Sequence, residues 1–212
     1  GISSDKLKGK LKLLPEEWQV LEQSVGRIVK APIYIDETPG ITLTEFVAKS
    51  KRLVREKGVK IIFVDYLQLM HSGKPQLGGF SKVQEVTEIS NTLKTTAKEL
   101  NIPIIALAQL NRNLMSRMGS NGKPVLSDLK DSGSIEQDAD IVVFLHRPGL
   151  LGLADDPDEQ ARTEVIFAKN RNGQVGSVDM RYVGHLMKFE DVQTTFYESA
   201  MNSDTVTTSG RK

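Results

Sequence analysis

The chain has 212 residues, of which 39% are hydrophobic and 26% charged, the balance of a soluble globular domain long enough to bury a core. Its formal net charge is +1, from 28 basic and 27 acidic residues, so bulk charge neither demands nor excludes a nucleic-acid partner; the clustering of basic groups decides that. It has no cysteine, and His71, His146 and His185 lie far apart, which excludes a disulfide framework and a thiolate metal site and argues against zinc.

The best apolar stretch, Ile61 to Met70, is interrupted by Asp65 and is too short to span a bilayer. It reads as a buried strand, and with no signal peptide the expected location is the cytoplasm. The chain opens on Gly1-Ile2-Ser3-Ser4 without an initiating Met, as a piece of a longer chain would.

Trp18, Leu21, Val25, Ile28 and Val29 fall on one face of a helix that starts at Pro15, with Glu16 and Glu17 suited to the positive end of its dipole. Pro32 to Asp36 reads as a short strand closed by Thr38-Pro39-Gly40. Thr42 or Thr44 is placed to cap the next helix, which ends near Gly58. Ile61 to Leu67 has the continuous apolarity of a parallel strand covered on both faces. His71 to Gly79 is a Gly/Pro loop, Phe80 to Leu100 a long helix, and Ile104 to Gln109 a second buried strand. Asn111 to Gly133 is polar, partly basic and contains glycine. Ile141 to Leu145 and Glu164 to Ala168 are further strands, separated by an acidic loop from Pro148 to Glu159. Val178 to Tyr182 and Met187 to Glu190 form a terminal hairpin. The expected organisation is a domain over 1–198 and a disordered tail over 199–212.

Strand, helix and strand alternate, so the fold class is α/β, with a mostly parallel sheet flanked by helices. In such sheets ligands sit at the carboxyl ends of the strands. Asp65 ends one apolar run and can hold Mg²⁺ through water; the alternative is a carboxylate that caps a turn. Gln109 ends the next run. Its amide can bond a phosphate and a neighbouring element at once, though by itself it reads as a polar residue leaving the sheet. Lys169 and Arg171 alternate on an extended chain before the turn signal Asn172-Gly173. They suit a finger aimed at phosphate, or else an ordinary solvated hairpin tip. Ser127 to Asp140 is rich in small polar and acidic residues. Lys130 and the amides near Gly133 can hold backbone phosphates, or the run is a capped turn.

Ile62-Phe63-Val64-Asp65-Tyr66-Leu67-Gln68-Leu69-Met70 closely resembles the Walker B segment of DnaB-type replicative helicases. Ala106-Leu107-Ala108-Gln109-Leu110-Asn111-Arg112 resembles their next motif, Leu126 to Asp140 their DNA-facing motif, and Ala168-Lys169-Asn170-Arg171-Asn172-Gly173 their trans-acting finger, in the same order and spacing. The likeness runs from about Gly1 to Val192.

The resemblance implies a RecA-like P-loop NTPase fold with a C-terminal β-hairpin. It further implies a homo-oligomeric, hexameric ring that moves 5′ to 3′ on single-stranded DNA, with ATP and Mg²⁺ as cofactors and with primase and a helicase loader as partners. By the same resemblance Asp65 assists Mg²⁺, with no protein ligand bound directly to the metal, and Gln109 senses the γ-phosphate. Lys169 and Arg171 reach the ATP of the adjacent subunit, and Lys130, Asp131 and Gly133 lie on the DNA-binding loop. Family members often carry Arg and Glu where Lys130 and Asp131 stand here; Lys neutralises a phosphate without gripping it in bidentate fashion.

No G-x-x-x-x-G-K-[ST] occurs in the chain. By resemblance, that loop, the catalytic glutamate and the N-terminal strands of the sheet lie upstream. The chain alone is therefore expected not to hydrolyse ATP and to expose a sheet edge that invites self-association. Two alternatives are a non-catalytic fragment that binds single-stranded DNA or sister subunits, and a RecA-type recombinase relative.

Overall fold

The computed structural model describes residues 1–73, 81–110, 122–152 and 156–192, excepting the side chains of 130–133 and 157. The expected tail over 199–212, most of the Gly/Pro loop and the first part of the polar segment after Leu110 lie outside the described residues.

A short helix α1 (Ser4–Leu7) precedes α2 (Pro15–Lys30), which starts at Pro15 as the sequence predicts. Its apolar face, however, is not buried: Trp18 is 58% and Val29 77% exposed. Pro32 to Asp36 is irregular chain rather than the expected strand, and Ile35 is exposed. A strand needs a partner for its amides and carbonyls. Here Asp36 instead turns the chain, accepting from Thr38 N at 3.0 Å and pairing with Lys49 at 2.7 Å.

The next helix, α3 (Leu43–Lys57), begins with a reciprocal cap. Glu45 N donates to Thr42 Oγ1 at 3.3 Å and Thr42 N donates to Glu45 Oε2 at 3.0 Å. It stops at Gly58, whose φ of 65° suits glycine best. Helix α4 (Lys82–Leu100) repeats the device with Ser81 and Gln84, and stops at Asn101 with φ 52°. Between them run β1 (Ile62–Val64) and a 3-10 turn, Leu67–Leu69. After α4 comes β2 (Ile104–Ala106), paired parallel to β1 with Val64 opposite Ala106.

Val86, Ile89, Ser90 and Leu93 line one face of α4. Val86, Ile89 and Leu93 pack with Leu43, Phe46, Leu67 and Met70 into the first core, against the inner side chains Ile62, Val64 and Ile104. The outer faces differ from the sequence expectation of strands covered on both sides. Phe63 is 63% exposed, and Ile105 and Leu107 are exposed beside it.

A 3-10 turn, Leu126–Ser132, leads into α5 (Gly133–Asp138) and then β3 (Ile141–His146). The acidic loop after β3 contains a 3-10 turn, Pro148–Leu151, and a short helix α6 (Pro157–Ala161), which Asp156 caps through Glu159 N at 3.3 Å. Strands β4 (Arg162–Asn170), β5 (Gly176–Val183) and β6 (Lys188–Asp191) follow. Among the strands of the described residues, β1 and β2 are the parallel pair, and an isolated parallel bridge joins Thr42 to His71. The other four strands form an antiparallel sheet in the order β3-β4-β5-β6. Short turns return the chain antiparallel from β4 to β5 and from β5 to β6, whereas β3 and β4 pair antiparallel across the longer connection that holds α6. Strand β3 alternates strictly: Val142, Phe144 and His146 point inward, and Ile141, Val143 and Leu145 point outward. Val142 and Phe144 form a second core with Leu129. No described helix is long and apolar enough to cross a membrane.

Candidate functional site

The carboxyl ends of β1 and β2 lie side by side because the two strands are parallel and in register. Asp65 follows directly on β1 and is exposed. Its carboxylate makes no hydrogen bond or ion pair with another described residue, so the turn-capping alternative finds no support. The chain leaving β1 stays stitched to the chain leaving β2. Leu107 N donates to Val64 O at 2.9 Å, and Leu67 N donates to Leu107 O at 2.8 Å.

Gln109 stands three residues beyond β2. Its main chain is held by the side chain of Gln68. Gln68 Nε2 donates to Gln109 O at 3.0 Å, and Gln109 N donates to Gln68 Oε1 at 3.2 Å. A primary amide offers a donor and an acceptor side by side, the same pair that a neighbouring strand would present. Gln68 thus adds a rung to the β1–β2 ladder just where the strands end. The sequence reading gave Gln68 no role of its own; its signal was its place, three residues after Asp65.

The two cations of the hairpin arrive by a different route. Lys169 lies on β4 opposite Val142 of β3, and Arg171 opens the turn into β5. Both lean on the end of α5. Lys169 Nζ donates to Glu136 O at 2.5 Å and to Gln137 O at 3.3 Å. Arg171 Nη2 donates to Gln137 O at 3.4 Å, and its Nη1 lies 3.2 Å from Asp140 Oδ1. Unpaired carbonyls at a helix C-terminus carry partial negative charge, so cations are stabilised there. Lys169 and Arg171 are therefore tied to the end of α5, while residues 171–176 at the hairpin tip are exposed. No hydrogen bond or ion pair joins this cluster to Asp65 or Gln109 among the described residues.

Lys130, Asp131 and Gly133 fall where the 3-10 turn meets α5, and their side chains lie outside the described set. The segment carrying them is anchored on both flanks. Ahead of it, Leu129 is buried and Asp128 Oδ2 accepts from Val125 N at 2.8 Å. Behind it, Asp138 Oδ2 accepts from Ser90 Oγ of α4 at 2.7 Å.

A magnesium nucleotide fits this donor set in part. Mg²⁺ keeps several waters and takes one or two carboxylates plus phosphate oxygens. Asp65 offers one such carboxylate, and no group of three or more His, Cys, Asp or Glu among the described residues forms a metal cage.

A RecA-like α/β domain of the ATPase class is what the parallel pair, its strand-end groups and the cationic hairpin define together. The chain belongs to the DnaB-like helicase C-terminal domain family, whose profile matches residues 1–191. It is 42% identical over 189 residues to the replicative DNA helicase DnaB of Geobacillus stearothermophilus, covering 89% of this chain and 40% of that protein. Against the DnaB of Leifsonia xyli it is 45% identical over 176 residues, covering 83% of this chain and 37% of the relative. Its fold matches the ATPase domain of G40P with a TM-score of 0.80 at 32% identity, over 91% of this chain and 66% of that one. A DnaB-like replicative helicase solved for its interactions with primase matches with a TM-score of 0.79 at 32% identity, over 91% of this chain and 46% of that one. The chain thus spans about 40% of the length of the first of these curated relatives.

Proposed function

We propose that this chain belongs to the motor of a hexameric replicative helicase that couples ATP hydrolysis to 5′–3′ movement on single-stranded DNA and to duplex unwinding in the cytoplasm. The observation that carries the reading is the paired strand end. An exposed Asp65, with no ion pair among the described residues, follows β1, and beside it Gln109 is fixed to the same ladder by Gln68. Fixed groups at the place where charge shifts are how phosphoryl transfer is promoted, since positioning and electrostatics supply most of the catalysis.

In this reading Asp65 orients the water shell of Mg²⁺, and Gln109 reports whether a γ-phosphate is present. Lys169 and Arg171 approach the ATP of the neighbouring subunit. Lys130, Asp131 and Gly133 meet the DNA backbone, so binding is sequence-tolerant and weakens with salt. Bound ATP and Mg²⁺ supply the transferable phosphoryl group and the charge that the finger meets. Primase is a partner by analogy with the solved relative studied with it, and a helicase loader is a second.

The test is DNA-stimulated phosphate release and forked-duplex unwinding by the full-length protein, wild type against Asp65→Asn. Loss of both activities with retained DNA binding is expected; unchanged turnover overturns the role of Asp65. The recombinase alternative would show strand exchange in place of unwinding.

The absence of G-x-x-x-x-G-K-[ST] from these residues favours a second reading for the 212-residue chain by itself. On that reading it is a binding module for DNA or sister subunits without turnover of its own. Calorimetry with a non-hydrolysable ATP analogue should then give no binding isotherm for this chain.

A further inference from the structure

Asp140 joins three parts of the fold that the sequence keeps far apart. It sits between α5 and β3. Its Oδ2 lies 2.5 Å from Lys94 Nζ of α4, and its Oδ1 lies 3.2 Å from Arg171 Nη1 at the hairpin tip. Its carbonyl accepts from Arg171 N at 2.9 Å. The same residue therefore grips Arg171 by main chain and by side chain. Gln137 O touches Nη2 of the guanidinium at 3.4 Å, so two neighbouring nitrogens of Arg171 are bound to one short stretch of chain.

We propose that Asp140 is a positioning residue for the Arg171 finger, setting the direction from which the guanidinium leaves the hairpin. The proposal rests on the reading of Arg171 as the finger. A long arginine side chain has much rotamer entropy to lose, and a finger that must meet a phosphate across a subunit boundary gains from losing it beforehand. A carboxylate with two acceptor oxygens can serve two cations at once, one per oxygen. Lys94 holds one oxygen, which leaves the other aimed at Arg171, and the hydrogen bond from Lys94 keeps the Asp140 carboxyl below its usual range, so it stays charged. The main-chain bond from Arg171 N to the carbonyl of Asp140 anchors the backbone that carries the carboxylate, and it does not depend on Lys94.

The experiment uses the full-length helicase and compares kcat and KM for ATP in the presence of single-stranded DNA. Arg171→Ala should abolish turnover. Asp140→Asn keeps the size and an acceptor but loses the charge. Its kcat should fall about tenfold or more while KM stays within about twofold, because a misplaced group costs rate more than binding. Lys94→Met removes the tie to α4 and leaves Asp140 on Arg171, so its kcat should stay within about threefold of wild type. Equal losses in Asp140→Asn and Lys94→Met would mean that the carboxylate only ties α4 to β3, and would overturn the proposal. Normal turnover in Asp140→Asn beside a dead Arg171→Ala would overturn it and leave the finger reading standing. Normal turnover in Arg171→Ala would remove the finger reading and this proposal with it. Should Asp140→Asn fail to assemble, Asp140→Glu decides. It keeps the charge and moves the carboxylate by one methylene, so reduced kcat with normal assembly is expected, and wild-type kcat overturns the proposal.

Discussion

The side-chain amide of Gln68 closes two hydrogen bonds on the main chain of Gln109, at 3.0 and 3.2 Å, although 41 residues separate them. It does so beyond the last rung of β1–β2, where parallel strands would otherwise diverge. The side chain of Gln109 therefore projects from a backbone with restricted freedom. Gln68→Ala removes both bonds and leaves Gln109 chemically intact. In the full-length protein kcat should fall about tenfold, equivalent to about 1.4 kcal/mol of lost positioning. Adding Gln68→Ala to Gln109→Ala should then cost nothing more, since Gln68 acts through Gln109. Additive losses in the double variant would show that Gln68 acts elsewhere.

Lys169 gives a second, separable expectation. Its ammonium bonds the carbonyls of Glu136 and Gln137 at the end of α5, and that helix lies within the segment resembling the DNA-facing motif. A charge-assisted bond of this kind contributes about 1.5–3 kcal/mol, less here because the site is partly open to solvent. Lys169→Met should therefore destabilise the 212-residue chain by about 1 kcal/mol. Urea unfolding followed by circular dichroism measures it, and an unchanged midpoint would remove the capping role.

Stability should also respond to mildly acidic pH through His146. This imidazole is buried on the inner face of β3, and burial pushes its pKa below 6.5 against the pull of Glu164, its neighbour across the β3–β4 rung. The unfolded chain takes up a proton near 6.5 that the folded chain refuses. Stability is therefore full above that value and declines as pH falls below it, towards the lower folded pKa. Glu164 responds only later. The hydrogen bond from Lys123 holds its carboxyl below its ordinary 4.5, so its contribution is present above 4.5 and fades on further acidification. Unfolding midpoints taken between about pH 7 and pH 5 should fall in the wild type and flatten in His146→Gln. Parallel slopes in the two proteins would assign the acid sensitivity to other groups.

Much of this was legible from the residues because the signals were local. Gly58, Pro15 and Asn172-Gly173 each specify their own turn or cap and stand where the sequence places them, and of Thr42 and Thr44 it is Thr42 that caps α3. The carboxyl-end rule pointed to Asp65 and Gln109 from two apolar runs alone. Pairing was harder to read. Pro32 to Asp36 has strand composition but finds no ladder, because a strand exists only with its partner. The antiparallel pairing of β3 with β4, across a connection that contains α6, is not written in the apolar runs themselves. The bonds made by Gln68 and Asp140 were hidden for the same reason, since each reaches across 31 or more residues to its partner.

Burial finally separates two apolar helix faces that look alike in the sequence. Ile89 of α4 is 1% exposed among Leu67, Met70 and Val86, whereas Val29 of α2 is 77% exposed. Ile89→Ala leaves a cavity in a closed core and should cost about 2–5 kcal/mol. Val29→Ala removes carbon atoms already in water and, with alanine the better helix former, should change stability by less than about 0.5 kcal/mol. Denaturant unfolding of the 212-residue chain compares the two directly. A large cost at Val29 would mean that α2 docks in solution on the exposed sheet face beside Phe63, or on a second copy of the chain. Dependence of the unfolding midpoint on protein concentration would tell those apart, because only association between copies responds to dilution.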